Sequence, residues 1–210
     1  MGSTKTRGVV FDFGGVMTTC ATPVRVKEIV DGLGLPWSAV TRGFERHRRD
    51  YDIGDITVAQ FYARVWGEAG VAVSAADRAA IEEADTASFL YRDEAALEWM
   101  KSLPALGYRL GILTNMPHEL APRFKERFAD VIAAAAATVI SCEVRLVKPM
   151  RGIYDLTASR LGVPPGEILF FDDSAANCRG AEEAGWRAVR YEGLEGAKAA
   201  FAAAVSGVLV

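Results

Sequence analysis

Apolar residues fall along the chain in two patterns. Five short runs are continuous: residues 7–12 (RGVVFD), 109–114 (RLGILT), 138–141 (TVIS), 167–173 (EILFFDD) and 187–191 (RAVRY). Runs of β-branched and aromatic residues without alternation fit strands buried on both faces, as in a parallel sheet. Between them the spacing turns helical. Leu97, Met100, Leu103 and Leu106 share one face of residues 94–106, where Pro104 should end or bend the helix. Ile153, Leu156 and Leu161 mark another face, and residues 175–184 follow the fourth run up to Gly185, a helix stop. Strands alternating with helices predict an α/β fold, a Rossmann-like parallel sheet with right-handed crossovers.

One stretch breaks this rhythm. Residues 22–88 contain no buried strand pattern, only helical patterns at 24–33, 38–49, 57–69 and 74–89, with Gly54 and Gly70 as breaks. The expectation is an inserted helical cap over residues 18–89, with the core formed by 1–17 and 90–210. The alanine-rich runs at 133–137 and 198–204 are expected to be helical.

Composition narrows the class. The 210 residues are 50% hydrophobic and 24% charged, a globular balance that excludes a disordered or fibrous chain. A net charge of −3 gives no general attraction to nucleic acid or to an anionic membrane. Cys20, Cys142 and Cys178 form no CxxC motif, which predicts reduced thiols rather than disulfides or zinc. No apolar run is long enough to span a membrane, and the polar residues 1–7 lack a secretory segment. The expectation is a cytoplasmic protein, with residues 1–3 open to being a cloning remnant.

The chemistry gathers at the ends of the runs. Asp12 ends the first, Thr114 and Asn115 the second, Lys148 lies beyond the third, and Asp172 and Asp173 end the fourth. Ligands of an open parallel sheet bind beyond the carboxyl ends of its strands. Each residue alone could serve only as a turn or cap. Together they place three carboxylates, an ammonium, a hydroxyl and an amide on one edge. Crowded carboxylates repel, and a hard divalent cation, here expected to be Mg²⁺, would relieve the repulsion.

The segments FDFGGV (11–16), LTN (113–115), Lys148-Pro149 and FFDDSAAN (170–177), in this order around the insertion, resemble the haloacid dehalogenase-like hydrolase superfamily. The insertion looks like that superfamily's C1 cap. The resemblance implies that Asp12 attacks phosphorus to form an aspartyl-phosphate, with Mg²⁺ held by Asp12, the Gly14 carbonyl, Asp172 and Asp173. It also implies that Thr114 and the Asn115 amide bind phosphate oxygens, and that Lys148 neutralises charge on Asp12 and the phosphoryl group. Asn177 would support the metal site.

Position 14 departs from the pattern. Phosphatases of this superfamily usually carry a second Asp two residues after the nucleophile as general acid and base; here it is Gly14. Such catalysis typically contributes ~10²–10⁴-fold. Three readings stay open. One is a phosphatase of a small phosphorylated metabolite, resembling the branch of the soluble epoxide hydrolase phosphatase domain and sugar-1-phosphate phosphatases. Its acid would come from Glu45, His47, Asp50, Asp52 or Asp55 of the cap, from water or from substrate. The second is a 2-haloacid dehalogenase, which Asp172-Asp173 argues against. The third is a catalytically weak binding or regulatory protein. The run Arg46-His47-Arg48-Arg49 is read as a solvated helix face, with a lesser expectation that it borders the cap's opening and attracts an anion.

Overall fold

A computed structural model of the protein describes residues 5–19 and 24–206. Cys20 and residues 1–3 lie outside the described residues. Five strands, β1 (Gly8–Phe11), β2 (Arg109–Thr114), β3 (Ala137–Ile140), β4 (Ile168–Asp172) and β5 (Arg187–Arg190), pair in parallel in the order β3-β2-β1-β4-β5. Each coincides with an expected run to within one or two residues.

The runs are continuous because both faces of the sheet are covered. Val9, Phe11, Leu110, Ile112, Leu169 and Phe171 pack on one side, against α5 (Glu94–Ser102), α6 (Leu120–Arg127), α7 (Ala129–Ala134) and α11 (Leu194–Ser206). Val10, Leu113, Val139, Ile168 and Phe170 pack on the other, against α9 (Arg151–Leu161) and α10 (Ala175–Glu183). Side chains thus alternate between two cores although the sequence does not alternate in polarity. Fully burying one such side chain contributes about 1.5–3 kcal/mol.

The insertion folds as four helices around its own core: α1 (Val24–Gly32), α2 (Trp37–Asp52), α3 (Val58–Ala69) and α4 (Ala75–Ser88). Val30, Val40, Phe61, Tyr62, Val65 and Ile81 form its centre. Gly43 lets α2 approach α3 closely, because a Cβ there would lie 3.0 Å from the Val65 Cα. Thr57 opens α3 with a reciprocal capping box to Gln60. The two connectors to the sheet domain run antiparallel: Thr18 bridges Arg92, and Asp93 N–H donates to the Met17 carbonyl at 3.0 Å. Arg92 anchors the return connector, donating to both carboxylate oxygens of Asp130 at 2.9 Å.

The break at Pro104 is the one expected, and two other features differ from expectation. Residues 94–106 split at Pro104, with α5 ending at Ser102 and a 3₁₀ turn, Pro104–Leu106, following. The alanine run 133–137 is only partly helical: α7 stops at Ala134, and Ala137 already pairs with Gly111 in the sheet. Ladder pairing overrides alanine's helix propensity there. The short helices α6, α7 and α8 (Ser141–Val144) add to the expected set.

Candidate active site at the carboxyl edge of the sheet

The chain builds β1 to β3 on one side and then crosses to β4 and β5, so β1 and β4 lie at the switch in strand order where ligands bind. The two strands carry their acids to the same level. Phe11 and Phe171 are register partners with rings stacked 5.1 Å apart, and Asp12 N–H extends the ladder to the Phe171 carbonyl at 2.9 Å. Asp12 and Asp172 are therefore set by adjacent, rigid strand ends.

Lys148 joins them. Its Nζ donates to Asp12 Oδ1 at 2.7 Å, to Asp172 Oδ2 at 2.6 Å and to the Leu113 carbonyl at 3.1 Å. All three ammonium protons are engaged. The side chain is almost wholly buried, and the flanking carboxylates outweigh desolvation to raise its pKa. Asp172 is saturated as well: its Oδ1 accepts from Ser174 N–H at 2.8 Å and from Asn177 Nδ2 at 3.0 Å. Asn177 thus holds Asp172 in place.

Asp12 is pushed up to about 7, chiefly by burial, with Lys148 pulling it down and Asp172 pushing it up. Burial and then Asp172 also raise Asp173. Asp173 is half-buried, and no ion pair or side-chain hydrogen bond engages its carboxylate among the described residues. One oxygen from each of Asp12, Asp172 and Asp173 lies within 4.8 Å of the others. An all-oxygen set of this kind, with one carboxylate that makes no direct ion pair among the described residues, fits a hard divalent cation.

These groups floor a cavity of about 180 Å³, with Asp12, Asn115, Lys148 and Asp173 below and Arg48 and Phe89 above; Gly14 also lines it. The Asn115 side chain is occupied by the Lys148 backbone, through Nδ2 to the carbonyl at 3.0 Å and Oδ1 from the amide at 2.8 Å. Asn115 lines the cavity, and its backbone N–H makes no turn or loop hydrogen bond among the described residues. Thr114 is buried, and among the described residues its hydroxyl makes only a 3.4 Å contact to the Asn115 carbonyl.

The basic run on α2 divides. Arg46 pairs with Glu68, and Arg49 lies near Asp50 and Met150. Arg48 instead turns inward to the cavity. Its Nε donates to both oxygens of Asp52 at 2.9 and 3.1 Å, and its guanidinium lies over the rings of Phe89 at 5.6 Å and Tyr51 at 5.9 Å. Desolvation lowers its pKa, but Asp52 and Asp85 outweigh that and raise it. The reading of this run as a solvated face is corrected at Arg48. The i, i+4 series Val40, Phe44, Arg48, Asp52 carried the signal, since it places Arg48 on the buried stripe of α2. The other suggested acids do not reach the cavity. His47 lies 3.7 Å from Glu68, Asp50 pairs with Arg64, Asp55 with Arg145, and Glu45 is exposed. Asp52 lies behind Arg48.

A family model for haloacid dehalogenase-like hydrolases matches residues 6–185. Among solved structures, the family enzyme bt-2542 from Bacteroides thetaiotaomicron is 24% identical, with a TM-score of 0.72 over 94% of this chain and 98% of that one. That enzyme has also been solved with magnesium and inorganic phosphate. A predicted family hydrolase from Porphyromonas gingivalis is 20% identical, with a TM-score of 0.67 over 93% and 98%. The L-2-haloacid dehalogenase RSc1362 is also 20% identical at a TM-score of 0.67, over 90% and 87%. At these identities the likeness to each solved structure is one of fold.

Proposed function

The chain belongs to the haloacid dehalogenase-like hydrolase family, and from that premise we propose that it is a magnesium-dependent phosphomonoester hydrolase of a small metabolite. The observation that carries this reading is the carboxylate cluster: beside Asp12 and Asp172, Asp173 makes no direct ion pair among the described residues, while Lys148 is fully engaged. Carbon–halogen hydrolysis needs no such cation. The cavity of about 180 Å³ suits a small substrate, being below the ~300 Å³ at which drug-sized pockets begin.

In this reading α1 to α4 are a cap. Asp12 is the nucleophile, and its carboxylate oxygen attacks phosphorus in line with the departing oxygen. Lys148 keeps Asp12 oriented and offsets its charge as the dianion approaches. The Asn115 backbone N–H faces a phosphate oxygen. Asp12, Asp173 and the Gly14 carbonyl would hold magnesium, with Asp172 bracing Lys148 beside them. When bound, the ion supplies Lewis-acid neutralisation of the phosphoryl oxygens. Water then cleaves the aspartyl-phosphate.

A second reading, 2-haloacid hydrolysis, is favoured by one observation only: Arg48 could hold a carboxylate above Asp12. Phosphate release from 4-nitrophenyl phosphate, stimulated by Mg²⁺ and stopped by EDTA, is expected. Halide release from 2-chloropropionate without phosphate release would replace the first reading with the second. Asp12→Asn should abolish turnover in either case; retained activity would refute the nucleophile.

A further inference from the structure

The roof of the cavity carries a positive charge where a proton donor would be expected. Gly14 lies two residues beyond the nucleophile, and a Cβ built on it would rest 3.4 Å from Phe89 Cε1 and 3.6 Å from Cδ1. A methyl group fits there. A carboxylate side chain would have to share the space of the Phe89 ring. Over that ring, Arg48 is fixed on three sides. Its Nε donates to both oxygens of Asp52, and its Cζ lies over the Phe89 and Tyr51 rings. Arg48 lines the cavity, and its Nη groups make no hydrogen bond among the described residues.

The ionisable residues lining the cavity are Asp12, Asp173, Lys148 and Arg48. Lys148 has no proton free of a partner. A guanidinium donates hydrogen bonds but does not give up its proton. Asp173 lies beside the nucleophile and within reach of the same cation site. Among the described residues, the roof therefore offers a fixed cation and no acid.

We propose that this site acts on phosphoryl compounds whose leaving group departs as an anion, with acyl phosphates as the natural class and Arg48 as the group that receives the anion. The proposal rests on the phosphatase reading above. Asp12 forms a bond to phosphorus, and the bond from phosphorus to the acyl oxygen breaks. The electron pair stays on that oxygen, giving a carboxylate matched to the Arg48 fork. Water then bonds to phosphorus, the Asp12–phosphorus bond breaks with its pair returning to Asp12, and both water protons remain on the released dihydrogen phosphate. No acid is consumed in either step.

The test is the dependence of kcat/KM on leaving-group acidity, with acetyl, 4-nitrophenyl, phenyl and methyl phosphates and saturating Mg²⁺. The expected fall from acetyl to methyl phosphate is at least about 10³-fold, since a general acid typically supplies ~10²–10⁴-fold for the poor leaving group. Arg48→Ala should lose rate on every substrate, steepen the dependence, and regain part of the rate with added guanidinium ion. Because Arg48→Ala leaves Asp52 buried without its partner, the double variant Arg48→Ala/Asp52→Asn provides the same test with the carboxylate neutralised. Comparable rates on methyl and 4-nitrophenyl phosphates would overturn the proposal and leave the phosphatase reading standing. An unchanged dependence in both variants would also overturn it. No phosphate release from any of the four would overturn both.

Discussion

Asn115 and Lys148 hold each other by a reciprocal pair of hydrogen bonds, side-chain amide to backbone amide, at 3.0 and 2.8 Å. The end of β2 is thereby tied to the loop that carries the ammonium group into the site. Asn115→Ala should cost about 1–3 kcal/mol by leaving Lys148 backbone groups unpaired. It should also reduce kcat well beyond any change in KM, because Lys148 loses its fixed approach to Asp12. Urea unfolding and steady-state kinetics on 4-nitrophenyl phosphate check the two parts separately.

Removing the ammonium is more severe. Lys148→Met leaves Asp12 and Asp172 facing each other in a buried site, and breaking a buried pair this way costs about 3–5 kcal/mol. The variant is expected to be inactive at every pH. Its stability deficit should shrink on acidification, as protonation removes the repulsion, and denaturation midpoints at pH 5 and 8 would measure this.

The acids set a pH dependence of definite sign. Asp12 titrates near 7 in the metal-free fold against 3.8 for a free side chain, so the native state retains a proton that the unfolded chain has released. Stability of the metal-free protein therefore falls as pH rises from about 4 to about 7. Asp52, Asp85 and Asp173 are raised too and act in the same direction. Lys148 stays charged across this window and does not reverse it. In EDTA the melting temperature is expected to be lower at pH 8 than at pH 6. The increment from added Mg²⁺ should be larger at pH 8, where no proton need be displaced.

Gly180 on α10 marks a close approach. A Cβ there would lie 2.7 Å from both the Cβ and the carbonyl oxygen of Pro149, and 3.1 Å from the Tyr154 hydroxyl. Gly180→Ala must displace the loop that follows Lys148. The expected cost is about 1–3 kcal/mol, with a loss of kcat although residue 180 touches no substrate. A variant as active and as stable as the parent would refute the coupling.

β1 to β4 were legible because each is buried twice over, which leaves an uninterrupted apolar run ending in a polar residue; β5, half-buried at the sheet edge, was legible from its place in the alternation of strands and helices. The carboxylates and Lys148 were legible for the same reason, since a strand end in a parallel sheet points to the ligand edge. Arg48 was not read correctly. It sits among three other basic or imidazole side chains, a run that masked its i, i+4 place on the buried stripe of α2, and its packing against Phe89 lies forty-one positions onward. Phe89 itself carries no sequence mark, because its role depends on an absent side chain at position 14. The helices α6 to α8 were missed because they are short and because Pro122 lies within α6.

The sheet order also sets a timetable for synthesis. β1 leaves the ribosome first, yet its neighbours β2 and β4 begin about a hundred and then sixty residues further on. A nascent chain halted before residue 168 holds Asp12 but lacks the strand beside it and the acids, Asp172 and Asp173, that accompany it. The acidic cluster is thus completed only once β4 has been made, and products truncated before it carry an Asp12 with no assembled site around it.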